Sequence, residues 1–260
     1  MEKIALVTGG AKRLGRAMAL YLADRGYDVA VHYAGSRIEA EELCNLIHAK
    51  GRRAVALQAD LLDEEATHAL APAAMQALGG PVTCLVNNAS IFEYDSLASA
   101  TRTTWDRHFD SNLRAPFILT QAVAAAIPQA DIDDAGEPVA QGLVVNMIDQ
   151  RVRKLTPEFM TYTLAKMGLW ALTQTSAQAL APRIRVNAIG PGPTLQGARQ
   201  SAQHFADQRA ATILGRGANP QDITAALGYF LDAPTITGQL ICVDGGQHLG
   251  WQTPDVLGVE

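Results

Sequence analysis

Cysteine is scarce: Cys44, Cys84 and Cys242 are the three in 260 residues, far apart and in apolar or helical surroundings. An odd, dispersed set excludes a disulfide framework and is expected to stay reduced, which fits a cytoplasmic location. Histidine is thin as well. The six residues include no i, i+4 pair, and no cysteines stand at zinc spacing, so no metal site is expected. A Gly-x-Ser-x-Gly elbow is missing, which argues against an α/β-hydrolase. No apolar run approaches a membrane span, and the opening MEKIALVTGG enters a strand pattern directly, so neither a membrane segment nor a signal peptide is expected. Blocks of like charge are also absent: 21 basic and 26 acidic residues are interspersed, for a formal net charge of −5. That balance leaves no footprint for nucleic acid or an anionic membrane and points to small molecules and further copies of the chain as partners. With no Pro/Gly/Ser-rich linker, repeat or low-complexity tract, residues 1–260 read as one domain.

What is present is an alternation of short aliphatic runs with longer helical patterns. Ile4–Val7, Val29–His32, Ala54–Gln58, Cys84–Val86, Leu143–Met147, Ile184–Ile189 and Leu240–Val243 read as strands. Their interiors are apolar throughout, as strands covered by helices on both faces must be, so the chain is expected to form an α/β, doubly wound, seven-stranded parallel sheet. The first helix carries Leu14, Ala17, Met18, Tyr21 and Leu22 on one face and stops at Gly26. The helix from Tyr162 to Ala181 is apolar on more than one side, which predicts contact with another subunit, and Pro182 ends it. The polar stretch 128–142 reads as a surface loop.

After the first strand, Thr8-Gly9-Gly10-Ala11-Lys12-Arg13-Leu14-Gly15 opens a helix, the setting in which glycines let backbone approach a pyrophosphate. The strict G-x-G-x-x-G spacing is absent, and a merely structural tight turn is the competing reading. Past the second strand, where a carboxylate would hold an adenosine ribose, the chain has His32-Tyr33-Ala34-Gly35-Ser36-Arg37. The missing acid, with Lys12, Arg13, Ser36 and Arg37 nearby in sequence, predicts NADPH over NADH. Asp60-Leu61 and Asn88-Ala89-Ser90 follow the third and fourth strands, at the sheet edge where ligands bind. Asp60 could accept from an adenine amino group, cap the helix around Glu64–Leu70, or do both.

Tyr162 and Lys166 stand four apart on a helix, which puts phenol and ammonium on one face. The ammonium is expected to draw the phenol's pKa down from about 10 toward neutrality, as suits a general acid. Taken in order, TGGAKRLG, Asp60, NNAS, Asn112 in SNLRAPF, Tyr162/Lys166, Pro191-Gly192 and Val243-Asp244-Gly245-Gly246 resemble the short-chain dehydrogenases/reductases over essentially the whole chain. The resemblance implies a Rossmann fold and a homotetramer. It also implies Tyr162 as proton donor, Lys166 on the nicotinamide ribose, and Asn112 in a water-linked proton path.

Departures from the ordinary pattern narrow the expectation. Asp149 replaces the usual serine thirteen residues before the tyrosine, Arg13 replaces the middle glycine of the first turn, and NNAS leads into Ile91-Phe92. This combination, with the ending Asp244-Gly245-Gly246-Gln247-His248-Leu249, resembles the pteridine and dihydromonapterin reductases. The expected reaction is hydride transfer from NADPH to the C=N bond of a dihydropterin, such as dihydromonapterin, dihydrobiopterin or dihydrofolate, with Asp149 assisting Tyr162. Phe92 would stack the pterin, and Arg13, Ser90, Pro193 and Thr194 would complete the pocket, under a lid at about 193–210. Asp149 could instead only order a strand-end loop. The alternatives are a carbonyl reductase, such as a 3-oxoacyl-thioester reductase, and a non-enzymatic NADPH-sensing module. Trp251, in the tail beyond the last strand, is expected to pack across a subunit interface.

Overall fold

The computed structural model describes residues 2–197 and 200–253. Seven parallel strands lie in the order β3-β2-β1-β4-β7-β8-β9: β1 (Ile4–Val7), β2 (Asp28–Tyr33), β3 (Ala54–Gln58), β4 (Cys84–Asn87), β7 (Gly142–Met147), β8 (Ile184–Pro191) and β9 (Leu240–Val243). All seven expected strands are present. β8 runs two residues past the expected end, carrying its pairing with β9 through Pro191. The registers Val7↔Val86 and Val86↔Val145 align the carboxyl ends of β1, β4 and β7.

The crossovers cover both faces. On one, α1 (Arg13–Asp24), α2 (Arg37–Ala49) and α8 (Pro220–Asp232) bury Met18, Leu22, Leu43, Ile47, Leu227 and Phe230 against the sheet. On the other, α3 (Glu64–Leu78), α5 (Ala115–Ala126) and α6 (Met160–Leu180) bury Leu70, Leu78, Leu119, Val123 and Ala177. Each fully buried aliphatic side chain contributes roughly 1.5–3 kcal/mol, so these two layers supply most of the driving force. α4 (Arg102–Phe109) joins α5 through a single π-helical turn at Asp110–Arg114. Gly26, at φ 86°, closes α1 as expected.

The polar stretch before β7 is a surface segment that folds into a small hairpin, β5 (Asp131–Ile132) with β6 (Pro138–Val139), around a turn in which Asp133 accepts from Ala135 and Glu137 N–H. The cap of α3 is Asp63, accepting from Glu65 and Ala66 N–H. Asp60 instead turns the chain one step earlier, accepting from Leu62 N–H at 3.0 Å. α7 (Ala202–Ala210) lies between β8 and α8. Strand order reverses direction between β1 and β4, so the loops after these two strands diverge and leave a crevice at the carboxyl edge of this single-domain Rossmann sheet.

Candidate active site

The glycine turn is held by side chains from two neighbouring strands. Asn88 Nδ2 donates to Thr8 and Gly9 carbonyls at 2.9 and 3.1 Å, while Thr8 Oγ1 accepts from Asn88 and Ala89 N–H. His32 is buried beside the turn: its Nδ1 accepts from Gly9 N–H at 3.0 Å and its Nε2 donates to Ala59 O at 3.1 Å. Burial lowers its pKa, which keeps the ring neutral, as the bond from Gly9 requires. His32 therefore meets the candidate nucleotide site through Gly9. A Cβ on Gly15 would lie 2.2 Å from Gly9 O and 2.7 Å from Asn88 Nδ2, so only glycine fits there. Arg13 adopts φ 53°, the left-handed region that a glycine would fill without strain.

The first turn of α1 has no side-chain cap, and neither does α2, where Ser36 is the N-cap and Arg37 the first helical residue. Both helix starts therefore offer backbone N–H groups and positive dipole ends to phosphate. The nearby cations are not bare: Lys12 pairs with Glu39 and Arg37 with Glu41, each at 2.6 Å and exposed. Exposed pairs of this kind contribute little and exchange readily for a phosphate. Leu14, Tyr33 and Leu61 pack into the flanking cores. Gly192 lies so close to Asp244 that a Cβ would approach it to 2.6 Å, which fixes the Pro191-Gly192 bend against the end of β9.

Asp149, at the end of β7, and Tyr162, in the first turn of α6, meet across the crevice: Tyr162 Oη donates to Asp149 Oδ2 at 3.0 Å. The second carboxylate oxygen accepts from Arg151 N–H at 2.8 Å, capping a 3-10 turn at Gln150–Arg153, so loop ordering and contact with Tyr162 coexist. Lys166 is buried, donates from Nζ to Met147 O at 2.8 Å, and lies 5.6 Å from the centre of the tyrosine ring.

The electrostatics correct one expectation. Burial, followed by the charge of Asp149, pushes the Tyr162 pKa well up, whereas sequence spacing predicted a decrease. Burial also raises Asp149 and lowers Lys166 to about 8. The phenol is thus held protonated, as a donor.

Asn112 sits in the π-helical turn and is fully buried; its amide donates to and accepts from the Ile91 backbone, both at 2.8 Å. It fixes the loop that presents Phe92. That ring stacks on Phe159 at 4.3 Å and meets Tyr162 edge-on at 4.6 Å. Sequence reading missed Phe159; the signal available was an aromatic three residues before the tyrosine. It also missed a buried set beneath the loop. His108 Nε2 accepts from Glu93 N–H, its Nδ1 donates to Thr161 Oγ1 at 2.7 Å, and Thr161 donates to Asp95.

Of the pocket residues, Ser90 lies close enough to Tyr162 to act on its phenol, and Thr194 is buried, donating to Gly192 O at 3.0 Å. Arg13 reaches over the crevice to the carbonyls of Gln196 and Leu195, at 2.8 and 3.0 Å. Arg209 of α7 donates to Pro193 O, Gly217 O and Ala218 O, tying the expected lid to its base. Residues 198 and 199 of that lid lie outside the described residues, as does the tail from 254. Among the described residues no cluster has metal-ligand character and no helix is long and apolar enough to cross a membrane.

The chain is similar to known proteins along nearly its whole length. A family model described as enoyl-(acyl carrier protein) reductase matches residues 9–248. The 3-oxoacyl-[acyl-carrier-protein] reductase FabG of Staphylococcus aureus is 33% identical over 96% of this chain and 99% of its own. FolM alternative dihydrofolate reductase 1 of Brucella canis, solved with NADP, is 45% identical, with a TM-score of 0.90 over 98% of this chain and 97% of its own. A short-chain dehydrogenase of Burkholderia cenocepacia, also solved with NADP, is 32% identical with a TM-score of 0.84, over 94% and 97% of the two chains. By sequence and by fold, the chain belongs to the short-chain dehydrogenase/reductase family of oxidoreductases.

Proposed function

We propose that the protein reduces the C=N bond of a dihydropterin with NADPH. The cofactor fits the residues present: the crowded Gly9/Gly15 turn and the uncapped start of α1 suit a pyrophosphate, and the uncapped Ser36-Arg37 start of α2 suits the 2′-phosphate. The free Oδ2 of Asp60 suits an adenine amino group, and Asn88, Ala89, Pro191 and Gly192 border the same crevice. When bound, the cofactor supplies the hydride.

The observation that carries the reading is the Tyr162–Asp149 hydrogen bond. A ketone oxygen needs only a neutral hydroxyl beside the tyrosine. A C=N bond likewise takes one hydride and one proton, and a carboxyl beside the tyrosine adds a group that can hold and resupply that proton. Asp149 accepts from Tyr162 at rest, and burial raises its pKa; once it has taken a proton from solvent it can return one to the phenolic oxygen as Tyr162 gives its own to the nitrogen. No free phenolate then persists in a site that disfavours one. Lys166 supplies a positive charge nearby, and Phe92 offers an aromatic face to the pterin, with Arg13, Ser90, Pro193 and Thr194 around it. The Brucella relative's designation as an alternative dihydrofolate reductase supports this substrate class.

The FabG relatives favour a second reading, reduction of a 3-oxoacyl thioester with Tyr162 in the same role. Asp149→Ser separates the two. On the pterin reading it lowers dihydropterin turnover at least tenfold, about 1.4 kcal/mol in the barrier, with NADPH affinity nearly unchanged. An undiminished rate would return the protein to ketone reduction.

A homotetramer also suits the exposed apolar side chains Trp105, Phe117, Leu164 and Met167 on α4, α5 and α6. Light scattering is expected to give four times the mass of the 27.7 kDa chain. A monomeric mass would contradict this.

A further inference from the structure

A basic cluster follows Asp149 directly. Arg151, Arg153 and Lys154 crowd into the turn that the aspartate caps, in a chain of net charge −5. Among the described residues none of the three has a carboxylate partner, whereas Lys12, Arg37, Arg53, Arg107 and Arg114 all do. Glu158, the acid in the same loop, pairs with none of them.

Arg151 is held in place. Its N–H donates to Asp149, its guanidinium donates to Thr156 Oγ1, and that group lies over Phe159 at 5.1 Å from the ring centre. Phe159 stacks on Phe92, and Phe92 abuts Tyr162. A fixed cation, two rings and the proton donor thus form one continuous row. Phe159 carries φ 56°, a strained setting for a non-glycine residue and of the kind found at ligand sites. Among the described residues the buried Nε of Arg151 has no acceptor, and Nη1 bonds only Thr156.

Resting on the dihydropterin reading above, we propose that Arg151 binds an anionic substituent on the substrate side chain, with Arg153 and Lys154 drawing it to the mouth of the site. The preferred substrates are reduced pterins bearing a carboxylate or a phosphate. The guanidinium fork matches both groups, and a pterin ring held at Phe92 can extend its side chain along the row toward Arg151.

The test uses the intact protein and three probes: neutral 7,8-dihydrobiopterin, dihydrofolate with its carboxylates, and a phosphorylated 7,8-dihydropterin. Arg151→Gln is expected to raise KM at least tenfold more for an anionic probe than for the neutral one, while kcat changes alike for all. Arg151→Lys recovers most of that difference. Added salt raises KM for the anionic probes alone, a readout that needs no variant. Whichever anionic probe shows the larger effect identifies the source of the charge. Equal KM changes for all three probes, with no selective salt effect, would overturn the proposal and leave dihydropterin reduction standing. If the wild type turns over no pterin at all, both fall together.

Discussion

Asp149 does two jobs with two oxygens, one on the Arg151 backbone and one on the Tyr162 phenol. The residue types in this corner were legible from sequence, because their order and spacing carry the resemblance. Their ionisation was not. Sequence spacing places Lys166 within reach of Tyr162, but burial is set by the packing of β7 and α6, and it drives the phenol up and the ammonium down. The lowered value has a direct consequence. Lys166 is charged below about pH 8 and neutral above it, so kcat/KM is expected to fall as pH rises through about 8. Lys166→Arg should remove that limb from whatever activity remains, since a guanidinium keeps its proton. A profile flat to pH 10 in the unmodified protein would contradict the assignment.

The strands were readable because parallel strands covered on both faces are apolar along their whole length, and IALV and LVVNM admit no other easy placement. Elements marked by polar residues were harder. Asp60 and Asp63 both precede α3, and only backbone geometry decides that Asp63 caps it. The hairpin inside 128–142 has strands of two residues each, too short to leave a periodic signature. Phe159 was missed for a related reason: its partner, Phe92, is 67 positions away and meets it only when β4 and α6 are packed. The glycine turn belongs to the same level of organisation, since it works by how closely β1, α1 and the β4 loop approach. Gly15→Ala is expected to drive a methyl into Gly9 O and Asn88, weakening NADPH binding at least tenfold in a fluorescence titration. Unchanged affinity would show that the turn is not the pyrophosphate seat.

The molecule as a whole follows from the reversal of strand order between β1 and β4, which opens one crevice and brings residues from far along the chain to it. Glycines from the first turn, Asn88 from the loop after the fourth strand and the Asp149–Tyr162 pair come together at that edge of the sheet. Apolar side chains of α5 and α6 are exposed, as is Trp251 at 59%, and the proposed homotetramer would cover them. What substrate the crevice takes is decided most directly by following NADPH oxidation by the purified protein. It is offered a 7,8-dihydropterin and, in parallel, an acetoacetyl thioester, with Tyr162→Phe as the blank. Pterin turnover that vanishes in the blank is the predicted result. Thioester turnover alone would make Asp149 a structural substitution and contradict the proposal.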